Sequence, residues 1–296
     1  MKGRHPVART GDIVKTLLRT RLDTLTPSER RVASCLLQDY PVAGLQSITE
    51  LAQAAEVSTP TVIRLARKLD FDGFSALQEA LRAEISAQIK KPLSKLDEVD
   101  RDDSGAHRLH RFAAAASANL RNTLDRLDPA DFDAAVAPLA GPERRIFIEG
   151  GRITRSLADY LFNLLQIIRP GVAALGRQPS IWPQYLIDMG PDAVMVLFDV
   201  RRYEADLLRL ARLARDRDCR LILFTDQWGS PIGSLADVSF HAMIEAPSSW
   251  DSMLAPTLIL EALVAEVQAA MPDKARGRIG ALESMLSATR LFREPG

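Results

Sequence analysis

The stretch from Ser47-Ile48-Thr49-Glu50-Leu51-Ala52 to Arg64-Leu65-Ala66-Arg67-Lys68-Leu69 constrains this chain most. Ser47 and Glu50 have the spacing of a capping box, so a short helix starts there with Leu51 and Ala52 inward. Glu56-Val57-Ser58 makes a turn. Ser58 then caps a helix over 59–69, with Pro60 in its first turn. Val62, Leu65, Ala66 and Leu69 form its inner side, while Thr59, Thr61, Arg64, Arg67 and Lys68 crowd the outer side. Two short helices joined by a tight turn, the second bearing cations beside hydroxyls, predict a helix-turn-helix. Such a unit lays its second helix in the DNA major groove.

The flanking sequence fits an all-helical unit. Thr26-Pro27-Ser28-Glu29 is another capping box, opening a helix with Val32, Cys35, Leu36 and Tyr40 on its apolar face and Pro41 as its stop. Phe71-Asp72-Gly73-Phe74-Ser75 ends the 59–69 helix and caps a fourth over about 76–90. The formal net charge of the whole chain is zero, yet residues 1–91 carry 14 Lys+Arg against 10 Asp+Glu. A basic front on a neutral chain suits nucleic-acid binding at that end. The candidate DNA contacts are Ser47, Ser58, Thr59, Thr61, Arg64, Arg67 and Lys68. The hydroxyls can donate to phosphates or bases, Arg64 can grip guanine through two hydrogen bonds, and Arg67 and Lys68 suit phosphates.

At 296 residues the chain has room for two domains, and 47% hydrophobic content supports a buried core. Cys35 and Cys219 lie far apart in apolar runs, as reduced packing residues do in a cytoplasmic protein. The start, Met1 to Pro6, has no apolar run behind it and does not read as a secretory signal, and no apolar run is long enough to span a bilayer. Patterns for a metal site, a Walker-type nucleotide loop or a nucleophile elbow do not occur. No cofactor, metal or catalytic residue is expected.

Residues 92–106 are polar and charged and read as a linker, partly helical, between a 1–91 domain and a 107–296 domain. A helix is expected over about 107–127. From 144 the texture changes. Short apolar runs at 145–149, 172–175, 193–198, 220–224 and 238–242 alternate with helical segments at about 154–168 and 203–216. That alternation predicts a doubly wound parallel sheet of five strands, with helices on both faces. Two further helices are expected at about 252–270 and 275–292. Ligands of such folds lie beyond the carboxyl ends of the strands, here Gly150–Ser156, Asp199–Tyr203 and Thr225–Ser230.

The sequence from Leu25-Thr26-Pro27-Ser28-Glu29-Arg30, and above all from Ile48 through Val57-Ser58-Thr59-Pro60-Thr61-Val62-Ile63-Arg64 to Phe71-Asp72-Gly73-Phe74, closely resembles the RpiR family of bacterial transcriptional regulators. Members join this helix-turn-helix domain to a SIS (sugar isomerase) domain that binds a phosphosugar effector, and the alternating half resembles that domain. The resemblance implies a cytoplasmic homodimer or homotetramer on a palindromic double-stranded operator. The SIS turn Gly-x-Gly-x-Ser corresponds to Gly150-Gly151-Arg152-Ile153-Thr154, with Arg152 in place of the second glycine and Thr154 in place of the serine. The phosphate loop Ser-x-Ser-Gly-x-Thr corresponds to Phe198-Asp199-Val200-Arg201-Arg202-Tyr203 and has lost its hydroxyls.

Arg201 or Arg202 can still hold an anion bidentately. Asp199 either accepts from a ligand or locks one of the arginines. Thr225 and Ser230 either line the pocket or shape the turn, and Ser252 either caps the last-but-one helix or faces a ligand. Trp228 is either a lid or a packed surface aromatic. The candidate effector set is Gly150, Gly151, Arg152, Thr154, Asp199, Arg201, Arg202, Tyr203, Thr225, Ser230 and Ser252. His241 is read as a core or strand-edge histidine rather than a proton shuttle.

Three functions are compatible with these residues. The leading one is a DNA-binding transcriptional regulator that senses a small anionic metabolite: a sugar phosphate, sugar acid or organic acid. The others are a SIS-type sugar-phosphate isomerase, and a DNA-binding protein whose SIS-like domain only oligomerises.

Overall fold

The computed structural model describes residues 14–89, 92–100, 105, 107–176 and 178–290. The readings made for residues 1–13, for positions 101–104 and 106 of the linker, and for the helix ends at 90 and 291–292 fall outside them. The chain divides into two compact units between Lys90 and Lys91.

The first unit is all helical: α1 Val14–Arg21, α2 Pro27–Gln38, α3 Ile48–Ala54, α4 Thr59–Lys68 and α5 Phe74–Ile89. Both capping boxes form, Thr26 with Glu29 on α2 and Ser47 with Glu50 on α3. Each satisfies two backbone donors that a helix start otherwise leaves open. Val32, Leu36, Leu51, Val62, Leu65, Leu69, Leu77 and Leu81 meet in one core beneath α4.

The second unit opens with α6 Pro92–Asp100, α7 Arg108–Leu124 and α8 Pro129–Ala140. It continues with β1 Arg145–Gly150, α9 Arg155–Ile168, β2 Val172–Ala174, α10 Trp182–Leu186, β3 Ala193–Asp199, α11 Ala205–Arg215, β4 Arg220–Asp226 and β5 Val238–Ala242. It closes with α12 Leu254–Ala269 and α13 Pro272–Thr289. All the strand pairs are parallel, in the order β2-β1-β3-β4-β5. Ile146, Ile148, Val194, Val196, Ile222 and Phe240 pack on one face against α8, α9 and α12. Phe147, Met195, Leu197, Leu221 and Leu223 pack on the other against α10 and α11. The expected doubly wound sheet is therefore present. It also has two helices that the pattern did not mark: α8, announced by Asp128 capping and Pro129 at its first turn, and the five-residue α10.

The register aligns one phenylalanine from each of three neighbouring strands, Phe198, Phe224 and Phe240. Their rings lie 4.6 and 4.9 Å apart, centroid to centroid. One residue further along, Asp199, Thr225 and His241 are likewise in register. Where the aromatic row ends, the carboxyl edge of the sheet begins. No single helix among the described residues is long and apolar enough to cross a membrane.

Candidate functional site

In the first unit, the turn between α3 and α4 carries Glu56 in the left-handed region, φ 52°. The Val57 amide donates to the Ala52 carbonyl and closes the turn. Val62, Leu65 and Ala66 seat α4 in the core, and Arg64, Arg67 and Lys68 are exposed. Ser47 and Ser58 are exposed at the starts of α3 and α4, and Thr59 is half-buried.

Three details differ from the expected arrangement. Ser58 stands at the cap position of α4, but its side chain makes no capping bond and meets the Thr61 hydroxyl at 3.2 Å instead. Thr61 is buried rather than outward, because it follows Ser58 by three residues and so turns back over the first turn; it accepts from Arg64 Nη2 at 2.8 Å. Lys68 reaches the buried Glu29 at 2.6 Å, which ties the end of α4 to the start of α2. Lys68 thus ties α4 to α2 and Arg64 bonds within its own helix, while both Arg64 and Arg67 lie on the exposed face.

In the second unit, the loops after β1, β3 and β4 converge. After β1, a Cβ on Gly150 would lie 2.7 Å from the Thr154 carbonyl oxygen, so only glycine fits. Thr154 is buried and donates to the Phe198 carbonyl at 2.7 Å, which fixes the β1 loop to the end of β3. Glu204, at the start of α11, accepts from the Arg152 amide at 2.6 Å. A carboxylate of the chain itself therefore sits on the turn where the SIS pattern has its second glycine.

The β3 loop is also filled from within. Asp199 is 2% exposed. It accepts from the Glu204 amide at 3.2 Å and from the Ser230 hydroxyl, so it holds the residue that precedes α11 instead of an arginine. The Ser230 amide donates to the Thr225 hydroxyl at 3.0 Å, and that hydroxyl donates in turn to the Asp199 carbonyl at 2.7 Å. Thr225 and Ser230 thus shape this turn. Burial pushes the Asp199 carboxyl up to about 6, although the Ser230 and Glu204 donors work against the rise.

A raised carboxyl stabilises the fold when it is neutral. Its contribution is complete below the ordinary carboxylate range and is lost as pH rises through about 6. Asp199→Asn should therefore gain on the wild type by roughly 3 kcal/mol of unfolding free energy between about pH 4 and about pH 7. Urea unfolding across that range measures it, and a constant difference would show that Asp199 does not titrate there.

Asp226 ends β4 fully buried and collects four donors: the Arg201 amide at 2.7 Å, the Tyr203 hydroxyl at 2.7 Å, the Trp228 amide at 3.0 Å and the Gly229 amide at 3.2 Å. Burial raises its carboxyl above the usual range against those donors. The Arg201 guanidinium is 4% exposed, lies 4.3 Å from the Trp228 ring centroid and bonds Asp251 through Nε at 2.8 Å and through Nη2. Glu245 approaches it at 4.0 Å. Burial alone would raise the Asp251 carboxyl, but the hydrogen bonds from Arg201 and Lys95 outweigh it and hold it below its ordinary value.

Trp228 is therefore neither a lid nor a surface aromatic, but the buried platform of Arg201. Ser252 is buried; its hydroxyl accepts from the Leu254 amide at 3.4 Å, at the start of α12. Arg152 and Arg202 are exposed beside the same loops. His241 is exposed on β5, with Nδ1 3.2 Å from the Asp226 carbonyl oxygen.

The expected effector residues of the β1, β3 and β4 loops are thus brought together. The sequence reading had not singled out Lys95, Glu204, Asp226, Glu245 and Asp251. Asp226 had a signal, being the carboxylate that ends a strand as Asp199 does. Lys95 had none, since it lies 156 residues from its partner Asp251. Among the described residues no group of three or more His, Cys, Asp or Glu side chains is arranged to hold a metal ion.

An all-helical helix-turn-helix unit followed by a five-stranded parallel α/β unit, with its loops gathered at one edge, defines a DNA-binding domain joined to a SIS-type domain. Residues 13–88 match the helix-turn-helix domain of the rpiR family and residues 141–266 match the SIS domain. The chain belongs to the RpiR family of transcriptional regulators.

It is similar to the HTH-type transcriptional regulator HexR of Escherichia coli K12, 23% identical over 94% of this chain and 95% of that protein. HexR of Pseudomonas aeruginosa is 28% identical over 73% of each. Among solved structures, the Vibrio vulnificus NanR protein complexed with ManNAc-6P matches 94% of this chain and 99% of that one, at 18% identity and TM-score 0.52. The sugar isomerase domain of the RpiR transcription factor of Sphaerobacter thermophilus matches 58% of this chain and 96% of that one, at 21% identity and TM-score 0.55. These likenesses establish the fold.

Proposed function

We propose that this regulator binds a palindromic operator as a homo-oligomer through α4, and that a small anionic metabolite at the carboxyl edge of its sheet controls that binding. The observation that carries the effector reading is the Arg201 guanidinium, buried on Trp228 at the edge where ligands of doubly wound folds lie. A guanidinium in such a place pairs bidentately with a planar carboxylate. NanR, a structural neighbour, was solved with a sugar phosphate. Here, however, the carboxylates of Asp199 and Glu204 already take loop amides. They would repel a phosphate dianion, which favours a sugar acid or organic acid over a phosphosugar.

A second reading has its own support. Asp251 already occupies Arg201, as it would in a domain that only oligomerises. One experiment separates the two: thermal unfolding against sugar acids, organic acids and phosphosugars, followed by DNA mobility shift with any compound that binds. An effector at 100-fold over its Kd should add about 2.7 kcal/mol of stability, and should change operator affinity. A flat response across the panel would leave the oligomerisation reading. Binding of a phosphosugar in preference to every acid would reverse the assignment of ligand class.

A further inference from the structure

Lys95 lies on α6, in the stretch that the sequence reads as linker, and it is 8% exposed. A lysine is almost never buried unless it is paired. Its ammonium donates to Asp251 Oδ1 at 2.6 Å. The same carboxylate accepts from Arg201, so two cations from distant parts of the chain converge on one acid. The other charged groups facing this cluster are Asp226, which binds the Arg201 amide, and Glu245 at 4.0 Å. The Trp228 ring closes one side of the guanidinium.

Asp251 is placed to be exchanged. It precedes α12 by three residues, on the irregular segment between β5 and that helix. Its carboxylate receives charged donors only from Arg201 and Lys95 among the bonds above, whereas Asp226 receives three backbone amides. Asp226 is thus part of the turn's own wiring, and Asp251 is a carboxylate presented to a pair of cations from outside it.

We propose that Lys95 and Arg201 form a carboxylate seat that Asp251 fills from within, and that the filled seat pins α6 to the sensing edge. An acid that takes Asp251's place on Arg201 without also reaching Lys95 breaks the bridge and releases α6, whereas a carboxylate that spans both cations, as acetate can where Asp251 is missing, keeps it. Because α6 begins directly after the helix-turn-helix unit in the chain, its release alters the tether of the DNA-reading unit. The exchange keeps Arg201 neutralised, because one carboxylate replaces another there, and it leaves Lys95 without its bridge. This inference rests on the reading that the edge takes an anionic effector, and it adds the seat, the competitor and the route of the signal.

The test uses the full-length protein and amide hydrogen exchange in peptides covering 92–100. Without any added ligand, Asp251→Asn keeps the side-chain shape, removes the charge and should speed exchange there about tenfold, the factor for one lost charged hydrogen bond. Lys95→Met should do the same. Exchange as slow as wild type in both variants overturns the pin. Because this arm needs no ligand, it can fail while the effector reading stands, and succeed while that reading falls.

A second arm asks what the seat takes. In Asp251→Ala, sodium acetate should restore slow exchange at 92–100, while inorganic phosphate and chloride at matched ionic strength should not. Equal restoration by phosphate overturns the carboxylate assignment, and no restoration by acetate overturns the seat. If Asp251→Ala does not fold, acetate added to Asp251→Gly during refolding, with recovery of folded protein as the readout, decides the same point in the same sense.

Discussion

Asp226→Ala is expected to destabilise the second unit by at least about 3 kcal/mol, because four buried donors lose one acceptor and each unsatisfied donor costs about 1–3 kcal/mol. The donors are the amides of Arg201, Trp228 and Gly229 and the Tyr203 hydroxyl, and they set the β3 and β4 loops relative to each other. Truncation therefore removes the acceptor that holds the edge together. Urea unfolding should show this loss in the transition of the second unit, with the first unit's transition unchanged if the two melt separately. A loss below about 1 kcal/mol would mean that water or a neighbouring group takes over all four bonds. A structural carboxylate at this position also explains why Asp226 is as buried as any apolar residue of β4.

The second large effect concerns DNA. Replacing both Arg64 and Arg67 with alanine should weaken operator binding by about 100-fold or more, since a guanidinium reading guanine is worth about 1–3 kcal/mol and a phosphate contact adds to it. The dependence of affinity on salt should become shallower at the same time, because fewer counterions are released. Mobility shift or fluorescence anisotropy with DNA flanking the gene, at two salt concentrations, measures both quantities. Lys68→Ala should behave differently. Lys68 bonds Glu29, the glutamate that completes the capping box of α2. Part of its loss should therefore appear as reduced stability of the first unit, while Arg64 and Arg67 leave that stability near the wild-type value. Wild-type affinity in the double variant would remove α4 from the interface.

How far these sites could be read from sequence depends on how local their physics is. The strands were visible because a parallel strand covered on both faces is a continuous apolar run: Ala193–Asp199 is buried throughout. The capping boxes were visible because each is complete within four residues. The helix α8 was obscured by its alanines and by Pro138 inside it. The loops at the carboxyl edge were visible as positions but not as pairings. Asp199 stands two residues before Arg201 and invited an ion pair with it. The strand's alternation instead turns Asp199 toward Ser230 and the start of α11. Arg201 finds its carboxylate 50 residues away, and that carboxylate finds its lysine 156 residues away. No periodicity carries information over such separations; only the closed sheet brings those segments together. Likewise, Thr61 was assigned outward from helical spacing, and one hydrogen bond to Arg64 accompanies its inward turn.

The aligned phenylalanines 198, 224 and 240 bear on how such a sensor can diversify. Their interlocked rings hold the three central and outer strands in one register, because a slip of a single residue would send every side chain of a strand to the opposite face. The residues just past the row can then be exchanged one at a time without disturbing the strands that present them. A foundation that insists on its alignment thus leaves its upper storey free to change tenants. In this chain those positions hold Asp199-Val200-Arg201-Arg202-Tyr203, presented by a sheet whose register does not depend on them.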